Sequence, residues 1–198
     1  MITLALDTSH KYLAIALIDK DNKLIDGISN YCPKKQSEYI LVEIDNLCKK
    51  NNIKPFDISA IVITNGPGSY TGVRIAMTVA KVICSLRNIP LYTISSIELL
   101  SSNDCLVLMD ARGNRAYYGK FINGELIDDI KVDYLENIQN IRDNLPIIGD
   151  GSLFNEQDNY PNLCQKFIEH RNKWHLEENV HTVVPVYLKD ADSYMVKK

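Results

Sequence analysis

The segment Asn65-Gly66-Pro67-Gly68-Ser69 lies between a short β-branched run at 60–64 and a long apolar stretch at 71–87, and it constrains the fold more than any other feature. β-Branched residues favour an extended strand, glycine and proline punctuate it, and the stretch that follows has the length of a helix. A buried strand must therefore pass into a helix through a tight turn. Such a helix start offers unpaired N–H groups that could take an anion. The segment nevertheless matches neither standard nucleotide loop. It lacks the lysine of Gly-x-x-x-x-Gly-Lys-Ser/Thr, and the sixth place from Gly66, a glycine in the dinucleotide fingerprint, is Thr71. A structural turn is the favoured reading, with a phosphate cradle as the alternative.

The helix itself adds a second constraint. Between Gly72 and Arg87 its polar side chains are Arg74, Thr78, Lys81 and Ser85, spaced 4, 3 and 4 and so confined to one narrow stripe. The rest is apolar or small: Ile75, Ala76, Met77, Val79, Ala80, Val82, Ile83, Cys84 and Leu86. A helix apolar over so wide an arc is buried on several sides, either by its own core or by core and partner together. A second amphipathic helix is expected over 37–50, with Ser37 as its N-cap and Ile40, Leu41, Ile44, Leu47 and Cys48 at helical spacing. Candidate partner contacts are therefore Ile75, Ala76, Met77, Val79, Ala80, Val82 and Ile83 on the glycine-led helix, with Ile40 and Ile44 on the other.

Strand patterns surround this pair. Residues 2–6, 12–18 and 23–30 read as a meander whose first turn is Asp7-Thr8-Ser9-His10. Further strands are expected at 90–95 and 105–109, with a short helix at 96–101. Residues 106–112, the aromatic-rich run 116–122 and the turn Asn123-Gly124 then repeat the opening order of strand, aspartate, polar turn, strand and turn. This echo predicts two duplicated lobes, 1–102 and 103–198, joined near Ser101-Ser102-Asn103-Asp104. In the second lobe a helix at 134–144, a strand at 147–148 and short helical pieces over 152–181 are expected. The apolar tail 183–188 should dock back on the fold, and Lys197 and Lys198 should fray.

Composition narrows the function classes. With 45% hydrophobic and 24% charged residues, a chain of this length can bury a real core. No apolar run approaches the roughly 20 residues that span a bilayer, and no secretory signal is read, so a cytoplasmic location is expected. A net charge of −3 gives no overall footprint for nucleic acid, so contact with RNA is expected to go through another subunit. Five cysteines, odd in number and never in a Cys-x-x-Cys pair, argue against a disulfide framework or zinc ribbon. Cys164, His170, His175 and His181 are zinc-type residues, but spacings of six, five and six fit no standard finger, and they read as surface or loop residues. His10 reads as a solvent-exposed turn residue.

The stretch Gly66-Pro67-Gly68-Ser69-Tyr70-Thr71-Gly72-Val73-Arg74 resembles the signature of the TsaB (YeaZ) family. The likeness extends to Leu4-Ala5-Leu6-Asp7-Thr8-Ser9, Asp110-Ala111-Arg112 and Pro185-Val186-Tyr187-Leu188. It implies an α/β, actin-like (sugar kinase, Hsp70, actin) fold with two duplicated ribonuclease H-like lobes, mixed central sheets and flanking helices, the second lobe being short. It also implies a part in forming N6-threonylcarbamoyladenosine at position 37 of tRNAs that read codons beginning with A. The role would be that of a scaffold bound through first-lobe helices to a TsaD-type catalytic subunit, with a TsaE-type ATPase as a further partner. A homodimer would form when the partner is absent, and tRNA would be met only in the complex.

The TsaD-type relative carries His-x-x-x-His after the strand that follows the glycine helix. The corresponding places here hold Ser96 and Leu100, and leucine has no donor atom for a metal. The resemblance therefore implies no catalytic residue, no metal and no intrinsic cofactor, with ATP or ADP held, if at all, at a subunit contact. Asp7, Thr8, Asp110 and Arg112 become a vestigial cleft. Two departures from the family pattern are Ala76, where relatives often have glycine, and Gln36, where they often have histidine. The competing reading is an actin-like ATPase or sugar kinase that uses Asp7 and Asp110 with Mg-ATP.

Overall fold

The computed structural model describes residues 1–189, so the fraying expected of Lys197 and Lys198 lies outside the described residues. The chain opens with the expected meander, β1 (Ile2–Asp7), β2 (Tyr12–Asp19) and β3 (Leu24–Tyr31). There follow α1 (Gln36–Lys50), β4 (Ile58–Thr64), α2 (Tyr70–Arg87), β5 (Leu91–Ile94) and α3 (Ser96–Leu100). The second half comprises β6 (Cys105–Asp110), β7 (Arg115–Ile122), β8 (Glu125–Leu126), β9 (Lys131–Tyr134), α4 (Leu135–Ile141) and β10 (Ile147–Gly149). It ends in α5 (Leu163–Glu169) and the two-residue β11 (His175–Leu176).

The strands form two sheets, ordered β11-β5-β4-β1-β2-β3 and β10-β6-β7-β8, with β9 also paired to β7. Both follow one plan. An antiparallel meander leads through a helix to a strand that returns parallel to the first, β4 beside β1 and β10 beside β6. The sequence echo thus extends to strand order. In the first sheet β4 is followed by α2 and β5, whereas after β10 there is only a 3-10 turn, Gly151–Phe154. The chain then crosses back, packing α5 against β2 and β3 and pairing β11 with β5.

Two cores result. Leu4, Leu6, Ile15, Ile61 and Ile63 meet α1 and α2 on one face of the first sheet. The alternate residues Ala5, Ala14 and Val62 share a core with Val107 and Phe121 of the second sheet and with Ile97, Leu100 and Phe167 of the helices between. Strands covered on both faces read as unbroken apolar runs, which is why 2–6 and 60–64 show no alternation. No described helix is long and apolar enough to cross a membrane.

Several expectations need correction. Ser37 is not a cap, because α1 begins at Gln36 without a side-chain cap bond, and Gln36 instead is buried and donates to the His10 carbonyl at 2.7 Å. The helix expected over 134–144 stops at Ile141, where Asp143 and Asn144 turn with positive φ. Of the candidate partner contacts, Ile40, Ala76, Met77 and Ala80 are core residues, none more than 4% exposed. They belong to the faces that α1 and α2 press against the sheet.

Candidate functional site

The glycine turn is a joint between backbones. The Ser69 N–H donates to the Ser9 carbonyl at 2.7 Å, and the Thr8 hydroxyl donates to the Gly72 carbonyl at 2.6 Å while accepting from the Ala76 N–H at 3.1 Å. A Cβ on Gly68 would lie 2.4 Å from the Ser9 carbonyl oxygen, and one on Gly72 would lie 2.2 Å from that of Thr8. The glycines therefore let α2 start directly on the β1–β2 turn. Ser69 caps the helix by accepting from the Gly72 N–H at 3.2 Å. With the N–H groups of Ser69, Gly72 and Val73 already used, the geometry favours the structural turn over the phosphate cradle.

Beneath this joint Asp7 is fully buried. Its Oδ1 accepts from the Ser9 N–H at 2.8 Å and the Thr64 hydroxyl at 2.6 Å, and its Oδ2 lies 2.9 Å from His10 Nε2. His10 is 8% exposed, which corrects the expectation of a solvent-facing turn residue: the first turn folds under Gln36 and Tyr160. His10 Nδ1 accepts from the Tyr12 N–H at 3.1 Å, which leaves Nε2 as the donor toward Asp7. Burial alone would raise the Asp7 pKa. The neighbouring His10, then the bonds from Thr64 and Ser9, outweigh it and lower the pKa to about 2.

A cleft of about 500 Å³ opens between the ends of the two sheets, with Lys34, Thr71 and Ile75 on one side and Asp110, Arg112 and Asp150 on the other. Of the residues read as a vestigial cleft, Asp110 and Arg112 reach it, whereas Asp7 and Thr8 lie behind its wall, so the two aspartates do not oppose each other there. Lys11 spans the lobes, 2.6 Å from Asp150 and 2.5 Å from Asp158. Loss of water would lower its pKa, but the hydrogen bonds and charges of the two carboxylates hold it above the ordinary value. The Tyr160 hydroxyl donates to Asp150 at 2.9 Å while its ring tilts over His10 and Tyr12. Burial, and then the charge of Asp150, push that phenol well above its usual range. No sequence signal announces this clasp, since Lys11 lies more than a hundred residues from Asp150, Asp158 and Tyr160.

Of Ser96 and Leu100 only the serine carries a donor atom. Ser96 and Leu100 are both buried, and the Ser96 N–H is spent on the Gly66 carbonyl. The zinc-type residues also stay apart: Cys164 Sγ faces the carbonyls of Ile15 and Ile28, and His170 sits against Ser101. Among the described residues no three His, Cys, Asp or Glu side chains converge as a metal site. All five cysteines are free.

The outer face of α1 and α2 forms an apolar groove of about 450 Å³, lined among others by Leu41, Tyr70, Arg74, Ile75 and Val79. Beyond it α2 continues with Val82 and Leu86, 53% and 81% exposed, while Ile83 and Ile44 are half-buried. The rim is tied down by the tail. Arg74 Nε donates to the Tyr187 hydroxyl at 2.7 Å beneath a Tyr70–Tyr187 stack, and Lys81 Nζ holds the carbonyls of His181 and Val183, each at 2.9 Å. Sequence reasoning missed Leu41 as a surface residue and read Arg74 and Lys81 only as a polar stripe.

A family model described as TsaD, tRNA N6-adenosine threonylcarbamoyltransferase, matches residues 30–152. A Bacillus subtilis protein named tRNA threonylcarbamoyladenosine biosynthesis protein TsaB is 36% identical over 153 residues, covering 70% of this chain and 66% of its own. A protein of the same name from Buchnera aphidicola subsp. Schizaphis graminum is 27% identical over 86% of this chain and 89% of its own. Among solved structures, YeaZ from Pseudomonas aeruginosa superposes with a TM-score of 0.73 at 20% identity, covering 94% of this chain and all of that one. That likeness supports the fold as a whole, both sheets included.

Proposed function

This chain belongs to the TsaB (YeaZ) family of tRNA threonylcarbamoyladenosine biosynthesis proteins, and from that premise we propose that it is a non-catalytic scaffold of the cytoplasmic complex that makes the modification. The observation that carries the reading is the apolar seam left on α2 after its core is filled: Ile75, Val79, Val82 and Leu86, spaced 4, 3 and 4, beside Leu41 of α1. That spacing is the seam a second helix pair fits. The occupant is a TsaD-type catalytic subunit, with a second copy of this chain taking its place when the partner is absent. Carbamoyl transfer would then occur on the partner, with a TsaE-type ATPase joining the assembly and any ATP or ADP held at a subunit contact.

The competing reading, an actin-like ATPase or sugar kinase, asks Asp7 and Asp110 to hold Mg-ATP. Asp7 supports the scaffold instead, because its oxygens are spent on Thr64, Ser9 and His10 behind the cleft wall. Burying a Val or Leu side chain at the seam contributes about 1.5 to 3 kcal/mol, and a carboxylate there forfeits it. The double variant Val82→Glu/Leu86→Glu is expected to lose co-purification with the TsaD-type subunit while keeping its melting temperature within a few degrees, since both side chains are exposed in the free chain. An intact complex would remove the seam from the interface.

A further inference from the structure

The turn that joins β6 to β7 gathers cations that make no ion pair among the described residues. Arg112, Gly113 and Asn114 all have positive φ, which makes a broad exposed loop, and Arg115 begins β7 behind it. The tail brings Lys189 to the same place, where its ammonium bonds the Ala111 carbonyl and lies 5.9 Å from the Tyr117 ring. Burial first, then the charges of Arg115 and Arg112, lower the Lys189 pKa, with Asp110 acting against them. Among the described residues none of Arg112, Arg115 and Lys189 makes an ion pair, and Arg115 Nε is buried without a hydrogen bond. Of the two neighbouring carboxylates, Asp110 Oδ1 accepts from the Arg112 N–H at 2.7 Å and Asp133 Oδ1 accepts from Tyr134 and Asn137, and neither is ion-paired with these cations. Arg112 also lines the inter-lobe cleft, on whose opposite lip Lys34 stands exposed.

We propose that this patch, Arg112, Arg115 and Lys189 with Lys34 across the cleft, contacts the phosphate backbone of tRNA in the assembled complex. The inference rests on the scaffold reading above. Like charges crowded at partly dehydrated positions repel one another in the free chain and are satisfied by an anionic partner. An aromatic beside them favours RNA over an acidic protein surface. Tyr134 is the register partner of Arg115, half exposed, with the guanidinium 5.9 Å from its ring, and such a pair offers an unstacked base a platform beside its phosphate. The net charge of −3 is consistent with this: a few contacts on one loop would supplement the grip of a partner and give little binding alone.

The test uses the complex with the TsaD-type subunit and an unmodified transcript of a tRNA that reads a codon beginning with A, in filter binding across roughly 50 to 200 mM salt. Each phosphate contact contributes about 0.7 to 0.9 to the slope of log affinity against log salt. Arg112→Ala/Lys189→Ala, at exposed and half-buried sites, should lower that slope by about 1.5 and weaken binding several-fold at low salt, the deficit shrinking as salt rises. Arg115→Lys, which keeps a charge but loses the fork, should weaken binding with less effect on the slope. An unchanged slope in an intact complex would overturn the patch and leave the scaffold standing. Loss of co-purification by the double variant would make the patch a protein contact and overturn the RNA assignment. Failure of the wild-type chains to assemble would remove both readings.

Discussion

Replacement of Gly72 by alanine is expected to destabilise the protein by about 3 to 5 kcal/mol, at the upper end of what one substitution does. Helix propensity alone predicts the opposite sign, since alanine is favoured over glycine within a helix by about 1 kcal/mol. The close approach decides against it. An added Cβ would stand 2.2 Å from the Thr8 carbonyl oxygen and 3.0 Å from the Ser69 Cβ. Thr8 cannot withdraw cheaply, because its hydroxyl bonds the Gly72 carbonyl and the Ala76 N–H, each bond worth roughly 1 kcal/mol net. Moving α2 outward would instead open the packing of Ala76 and Ala80 on the sheet. For a chain of this size the loss corresponds to a fall in melting temperature of roughly 10 °C. Gly113→Ala is the control: it has φ +66°, but its Cβ would meet only the tip of the Arg115 side chain, so a cost near 1 kcal/mol is expected. Equal melting temperatures for the two variants would show that the joint is not held as described.

The same joint shows what was legible in the sequence. The order of strand, glycine turn and apolar helix, and the echo of the opening in residues 106–112, are local patterns, and the two sheets repeat them in strand order. Boundaries blurred where local signals competed. Ser37 is a good cap residue, yet Gln36 is drawn into the fold by a distant carbonyl, that of His10. The apolar arc of α2 was visible, but its division into core and surface was not. Ala76 and Ala80 fill the sheet-facing side because small side chains permit close approach, and Val82 and Leu86 are left outside. Periodicity gives the width of an arc, and a polar stripe as narrow as Arg74, Thr78, Lys81 and Ser85 does not say which flank of the arc stays exposed. The clasp of Lys11, Asp150, Asp158 and Tyr160, and the return of β11 to the first sheet, depend on where the chain goes after β10, and two-residue strands leave no periodic trace.

Acid is expected to loosen the protein in part through Asp7. Its pKa in the folded chain is lowered from 3.8 to about 2, so the ionised form contributes stability that is complete above the unfolded value and is lost as pH falls toward 2. Full burial means little screening, and the shift corresponds to about 2 kcal/mol. Urea melts of the wild type between pH 6 and 2.5 should show this loss concentrated below pH 4. Asp7→Asn should flatten that part of the profile by starting lower. Its carbonyl oxygen still serves Ser9 and Thr64, but its amide then points at His10 Nε2, which already carries a proton because Nδ1 accepts from the Tyr12 N–H. A donor meets a donor, and the imidazole can change tautomer only by giving up the Tyr12 bond, so a penalty of about 1 to 3 kcal/mol is expected at neutral pH. His10→Gln, whose amide can donate to Asp7, should cost less. A wild-type profile flat down to pH 2.5, or an Asp7→Asn variant as stable as the parent at pH 7, would mean that the buried carboxylate does not hold the first turn against α2.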